Sequence, residues 1–133
     1  MISQEVIQEL IEAGFLNINI PSVFGPRDRL HIHPSAVPVN TLFNLSSGHI
    51  YVGEGSFFGH NCMVLTGKHH QIDGHPVQDF MREGRDIHIG KRCWIASGAI
   101  ILGNVKIGDD CTVAAGAIVT KDVPPGTTVK GVW

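Results

Sequence analysis

Aliphatic side chains return every six residues through the second half of this chain. Ile89, Ile95, Ile101, Ile107, Val113 and Val119 keep the interval without a slip. Four places after each stands another small or apolar residue: Cys93, Ala99, Val105, Cys111, Ala117 and Val123. A helix repeats about every 3.6 residues and a half-buried strand about every two, so neither yields this spacing. A six-residue period marks a parallel β-helix, in which short strands wind into a prism and stack coil on coil.

Within each hexad the roles separate, taking the leading aliphatic as position one. Positions three and four are Lys91-Arg92, Ser97-Gly98, Gly103-Asn104, Asp109-Asp110, Ala115-Gly116 and Lys121-Asp122, mostly turn formers that suit corners. Positions five and one point inward, since strand side chains alternate, and position six faces out. The outward set is Trp94, Ile100, Lys106, Thr112, Ile118 and Pro124. If three hexads make a coil, Ile100 and Ile118 stack about 4.8 Å apart on one outer face, and such an apolar strip points to a partner surface. Ser97-Gly98 and Ala115-Gly116 then stack at one corner, a ladder of small residues along which a thin ligand can lie. Cys93 and Cys111 fall one coil apart and read, with Cys62, as reduced core thiols, which places the protein in the cytoplasm.

The whole chain, 1–133, reads as one domain: a lead-in over 1–30 and a β-helix over 31–133. Residues 3–13 predict a short helix capped by Ser3 and ended by Gly14, with Val6, Ile7, Leu10 and Ile11 on one face. Residues 15–30 read as irregular around Pro21, Gly25 and Pro26. A first hexad is Ile32–Val37; residues 38–50 show no clear register; the beat is firm from Val52 to Val64. Residues 66–86 hold three of the eight histidines and no hexad, an excursion of the length that is usually functional or disordered. A net charge of −2 gives a nucleic-acid partner no electrostatic support. No apolar run is long enough to span a membrane, and Glu5, Glu9 and Glu12 are unlike a basic leader.

Four segments together resemble the hexapeptide-repeat acyltransferases, in particular the sugar O-acetyltransferases of the maltose and galactoside group and their polysaccharide-modifying relatives. They are Gly59-His60-Asn61-Cys62-Met63-Val64-Leu65-Thr66-Gly67-Lys68-His69, Cys93-Trp94-Ile95-Ala96-Ser97, Ile107-Gly108-Asp109-Asp110, and the run from Ala114 to Gly126. The resemblance spans about Asn44 to Val132; the first forty residues and Gly131-Val132-Trp133 depart from it. It implies a left-handed β-helix, although parallel crossovers are right-handed as a rule. It also implies a homotrimer, acetyl-CoA as co-substrate in grooves between prisms, a saccharide acceptor, and no metal.

Moving an acetyl group from a thioester to a hydroxyl requires a base for the hydroxyl proton and a donor for the charge that grows on the thioester oxygen. A histidine, with an ordinary pKa of about 6.5, suits the first task. By resemblance His69 is that base, with His70 its rival. Asp73, Asp79, Glu83, Asp86 or a backbone carbonyl is left to orient the ring. By resemblance, too, Ser97 supplies the backbone N–H, Gly98 belongs to the same oxyanion and cofactor-binding set, Ala115 meets the pantetheine arm, and Trp94 lies near the cofactor. Thr120 and Lys121 match residues that meet the CoA phosphate, and Asn44 one that holds the acceptor.

Three other readings compete, one of them a non-catalytic scaffold. A γ-type carbonic anhydrase builds a zinc site on a similar coil; His70 and His75, with His33, His49 or His60, are its candidates, and zinc needs three converging protein nitrogens. An N-acetyltransferase acting on an aminosugar or antibiotic needs less help from a base.

Overall fold

The computed structural model describes residues 1–14 and 20–133. The prism is built coil by coil. The first coil holds β1 (Ser22–Phe24) and β2 (Leu30–Ile32), and the second β3 (Leu42–Asn44), β4 (Ile50–Val52) and β5 (Phe57–Phe58). The third begins with β6 (Met63–Leu65), leaves the prism for β7 (His69–Ile72) and β8 (His75–Phe80), and returns as β9 (Ile87–Ile89) and β10 (Trp94–Ile95). The fourth is β11 (Ile100–Leu102), β12 (Val105–Ile107) and β13 (Thr112–Val113); the fifth carries β14 (Ile118–Val119) and β15 (Thr128–Val129). Parallel pairing between coils makes three walls: β1-β3-β6-β11-β14, β2-β4-β9-β12 and β5-β10-β13-β15. The helix winds left-handed.

Side chains divide as the six-residue period requires. Ile89, Ile95, Ile101, Ile107, Val113 and Val119 are all buried, and so are the position-five residues from Cys93 to Val123. Each buried Val, Leu or Ile is worth about 1.5–3 kcal/mol, so the stack supplies most of the drive to coil. Phe43 and Phe58 fill the second coil, edge to face at 5.9 Å. The buried hydroxyls are partnered: Ser56 Oγ donates to the Gly90 carbonyl at 2.6 Å and accepts from Cys93 N at 3.0 Å.

The fourth position of most hexads turns the corner with positive φ, while Asp122 in the last does not. Gly55, Gly98 and Gly116 hold it, and so do Asn61, Asn104 and Asp110, residues that tolerate the left-handed region. Arg92 is the exception at φ 54. It is held by Asp110 one coil on, at 2.7 and 3.0 Å.

Three departures from the period have local causes. Pairing starts at Ser22, which aligns with Leu42, so the coil begins upstream of residue 31. The expected irregular stretch lies partly at 15–19, outside the described residues. Leu42 pairs with Met63, a coil of twenty-one residues instead of eighteen; the extra residues sit in the corner around Leu45–Ser47, which erases the register over 38–50. The last coil is short: Thr112 pairs with Thr128, because Val123 bridges Ile107 and Pro124 and Pro125 stay outside. The N-terminal helix, α1 (Gln4–Glu12), forms as the sequence predicts: Ser3 Oγ accepts from Val6 N at 3.2 Å, and Gly14 follows at φ 80.

Candidate active site

The excursion is an ordered hairpin. Ile72 and His75 pair across Asp73 and Gly74, whose φ of 50 and 77 match the two-residue turn that Asp-Gly favours. Its root is tied down. Thr66, fully buried, donates from Oγ1 to the Asn44 carbonyl at 2.8 Å and accepts from Ser47 N at 3.1 Å. Arg85 Nε donates to the Thr66 carbonyl at 3.0 Å from the segment that leads into β9. Gly67 then passes so close to the Asn44 side chain that a Cβ there would lie 3.0–3.1 Å from its amide atoms.

This root delivers His69 and Asn44 to one cleft of about 430 Å³, which Phe24, Lys68 and Phe80 also line. Across the hairpin the His69 ring meets the Gln78 carbonyl, Nδ1 to O 3.1 Å. A carbonyl only accepts, so Nδ1 carries the hydrogen and Nε2 keeps its lone pair. The orienting group is therefore a backbone carbonyl and none of the four carboxylates. Asp73 sits in the turn, Asp86 accepts from His49 N at 2.8 Å, and Glu83 is exposed. Asp79 lies 3.7 Å from His70 Nδ1, a distance too long for a hydrogen bond between two exposed groups. Asn44 Oδ1 accepts from Ser46 N and Oγ at 3.0 and 2.6 Å, which leaves its amide donors unclaimed by the described residues.

Ser97, Gly98 and Ala115 form the expected ladder on a different corner, where the third wall turns into the first. Gly116 N donates to the Ser97 carbonyl at 3.0 Å, and Gly98 N to the His60 carbonyl at 2.9 Å. Ser97 Oγ accepts from His60 N at 2.9 Å. The backbone N–H groups of Ser97 and Ala115 donate to none of the described residues, and both residues are exposed. Trp94 faces out from β10, 48 % exposed, stacked on Phe57 at 6.2 Å. Thr120 and Lys121 lie on the corner after the first wall, one side of it with His69. There Thr120 Oγ1 donates to the Trp133 carbonyl at 2.6 Å and Lys121 Nζ sits 5.1 Å over the Trp133 ring.

The predicted residues thus fall into two groups at opposite edges of the first wall. Its strands run from the Ser97–Ala115 corner toward the His69 root, and one chain does not bring the two together. Between them lies the half-buried outer strip of Leu42, Met63, Ile100 and Ile118. A wider concavity, about 790 Å³, lies instead on the second wall beside the stacked rings of His31, Tyr51 and His88, away from His69, Asn44, Ser97 and Ala115. His70 and His75 stand on the hairpin, and no cluster of three or more metal-ligating side chains is found among the described residues.

Residues 86–121 match the family described as bacterial transferase hexapeptide (six repeats). Over those residues the chain carries the hexapeptide repeat. Its resemblance to the acetyltransferases built on that repeat holds in sequence and in fold. Nodulation protein L of Rhizobium meliloti (strain 1021) is 49 % identical over 82 residues, which cover 62 % of this chain and 44 % of that protein; the chain spans less than half the length of this curated relative. A maltose O-acetyltransferase from Clostridium difficile 630 superposes with a TM-score of 0.57 at 23 % identity, covering 95 % of this chain and 70 % of that one, a likeness of fold.

Some of the site leaves no periodic or motif signal in the sequence. The Gln78 carbonyl has no residue signature, and Phe24 and Phe80 were hidden in segments without a period. The hairpin had one: Asp73-Gly74 flanked by Ile72 and His75.

Proposed function

We propose that this hexapeptide-repeat protein transfers the acetyl group of acetyl-CoA to a saccharide hydroxyl in one direct step. The observation that carries this reading is the His69 ring, fixed through Nδ1 by the Gln78 carbonyl with Nε2 free in a cleft shared with Asn44. The acceptor oxygen attacks the thioester carbonyl carbon while Nε2 takes its proton. The charge that develops on the carbonyl oxygen is met by the Ser97 N–H, a kind of donor worth roughly 3–4 kcal/mol. The C–S bond then breaks, and the leaving sulfur takes the proton back from the imidazolium.

Because His69 and Ser97 lie at opposite edges of one wall, the reading places the site between copies, with His69 from one and Ser97 and Ala115 from its neighbour. A cytoplasmic homotrimer closed over the strip of Ile100 and Ile118 satisfies this geometry. Gly98 and Ala115 then border the pantetheine arm, Trp94 flanks it, Thr120 and Lys121 meet the CoA phosphate, and Asn44 donates to the acceptor. No step calls on a metal. Acetyl-CoA turnover against a panel of sugars, for wild type and His69→Ala, tests the proposal: activity on some sugar, lost in the variant, supports it, and undiminished turnover in the variant rejects the base.

A further inference from the structure

The cleft that holds His69 does not end at the two phenylalanines. Phe24, Ser46 and Phe80 line it and also line an adjoining hollow of about 250 Å³. At the far side of that hollow stand Arg29 and Arg82, and Lys68 lies at the near side with His69. No carboxylate lines either compartment, and among the described residues neither arginine has a carboxylate partner. Arg29 is held in place by structure: its Nη1 donates to the carbonyls of Leu45 and Arg82 at 3.2 and 2.8 Å. That leaves its Nη2 and Nε donors unclaimed by the described residues, in the planar fork that suits a carboxylate or phosphate. Phe24 is 62 % exposed and Phe80 38 %, two apolar surfaces flanking the passage between base and cations.

We infer that the acceptor of this site is an anionic saccharide, with its sugar between Phe24 and Phe80 and its phosphate or carboxylate seated at Arg29 and Arg82. The inference rests on the acetyltransferase reading for the reaction, but on this geometry alone for the charge. An anion gains charge-assisted hydrogen bonds to half-buried Arg29 and exposed Arg82 that a neutral sugar cannot make.

Isothermal titration of the full chain with glucose, glucose 1-phosphate, glucose 6-phosphate and glucuronic acid tests this. At least one charged sugar should bind about tenfold or more tightly than glucose at low salt, the advantage should shrink as salt rises, and Arg82→Glu should abolish it. Arg82 offers only its backbone carbonyl to the fold, so the variant keeps that contact. The phosphate and carboxylate arms tell the two anions apart. Charged and neutral sugars binding within about twofold of each other, no binding by any of the four, or an unchanged advantage in Arg82→Glu overturns the inference. Acetyl transfer to the same sugars is read separately. Charge preference in binding without transfer supports the anion seat and removes the acetyltransferase reading; transfer without charge preference does the reverse.

Discussion

His69 Nδ1 lies 3.1 Å from the carbonyl oxygen of Gln78, across a hairpin that leaves the prism between β6 and β9. The partner is backbone, so the ring is oriented by the hairpin itself and needs no acidic side chain. His69→Ala should lower kcat by about 10² to 10⁴ while thermal stability and CoA binding persist. Asp79→Ala and His70→Ala should change kcat by only a few-fold, since the His70–Asp79 contact is long and exposed. Near-normal turnover in His69→Ala, with loss in His70→Ala, would move the base by one residue.

The Ser97 N–H is separable from its side chain. Ser97→Ala keeps that N–H and gives up one hydrogen bond, to His60 N, at a stability cost of about 1 kcal/mol. Ser97→Pro removes the N–H, and the chain already carries such a corner. Pro125 precedes Gly126 at φ 73 and packs against Gly108, just as Ser97 precedes Gly98 at φ 74 and packs against Gly59. Ser97→Pro should therefore fold and lose about 10² to 10³ in kcat, with Ser97→Ala nearly active; circular dichroism melts verify the fold.

Burial holds the Cys62 and Cys93 thiols above their ordinary value of 9.0. The folded state therefore keeps their protons longer than the unfolded state does. Their contribution to stability is fully present below the ordinary value and is lost as pH rises through the raised one. Chemical denaturation from pH 7 upward should show stability falling beyond about pH 9, and Cys62→Ala with Cys93→Ala should flatten that limb. In native protein both thiols should resist alkylation, because all three cysteines are buried.

The period was legible because every inward aliphatic stacks on an equivalent one a coil away, so the sequence repeats wherever the structure does. It fell silent where the coil changes length. Three extra residues at the Leu45–Ser47 corner hid β3, and a three-residue strand between Pro21 and Gly25 was too short to show alternation. The ladder of Ser97-Gly98 and Ala115-Gly116 was visible because small corner residues stack, but its proposed role, like that of His69, came from resemblance; a backbone acceptor such as the Gln78 carbonyl leaves no mark in the sequence.

Ile100 pairs with both Met63 and Ile118 on the outer face of the first wall. If the proposed trimer closes over that strip, Ile100→Asp puts a charge into it, and sedimentation velocity should show a shift toward monomer with loss of activity. An active trimer carrying Ile100→Asp would remove the strip from the interface.

Lys121 Nζ rests 5.1 Å over the Trp133 ring, on the corner that follows the first wall. If that ammonium meets the CoA phosphate, Lys121→Ala should weaken CoA more than dephospho-CoA in a titration. Equal losses for the two ligands would reject the contact.

The most direct measurement is subunit mixing. His69→Ala and Ser97→Pro are each expected to be inactive alone. Co-expressed in equal amounts, they should assemble oligomers in which a sound His69 of one copy faces a sound Ser97 of the next at about a quarter of the sites, restoring about that fraction of wild-type turnover. If the mixed oligomers stay as inactive as either variant, His69 and Ser97 do not meet across an interface, and the account of the site is wrong.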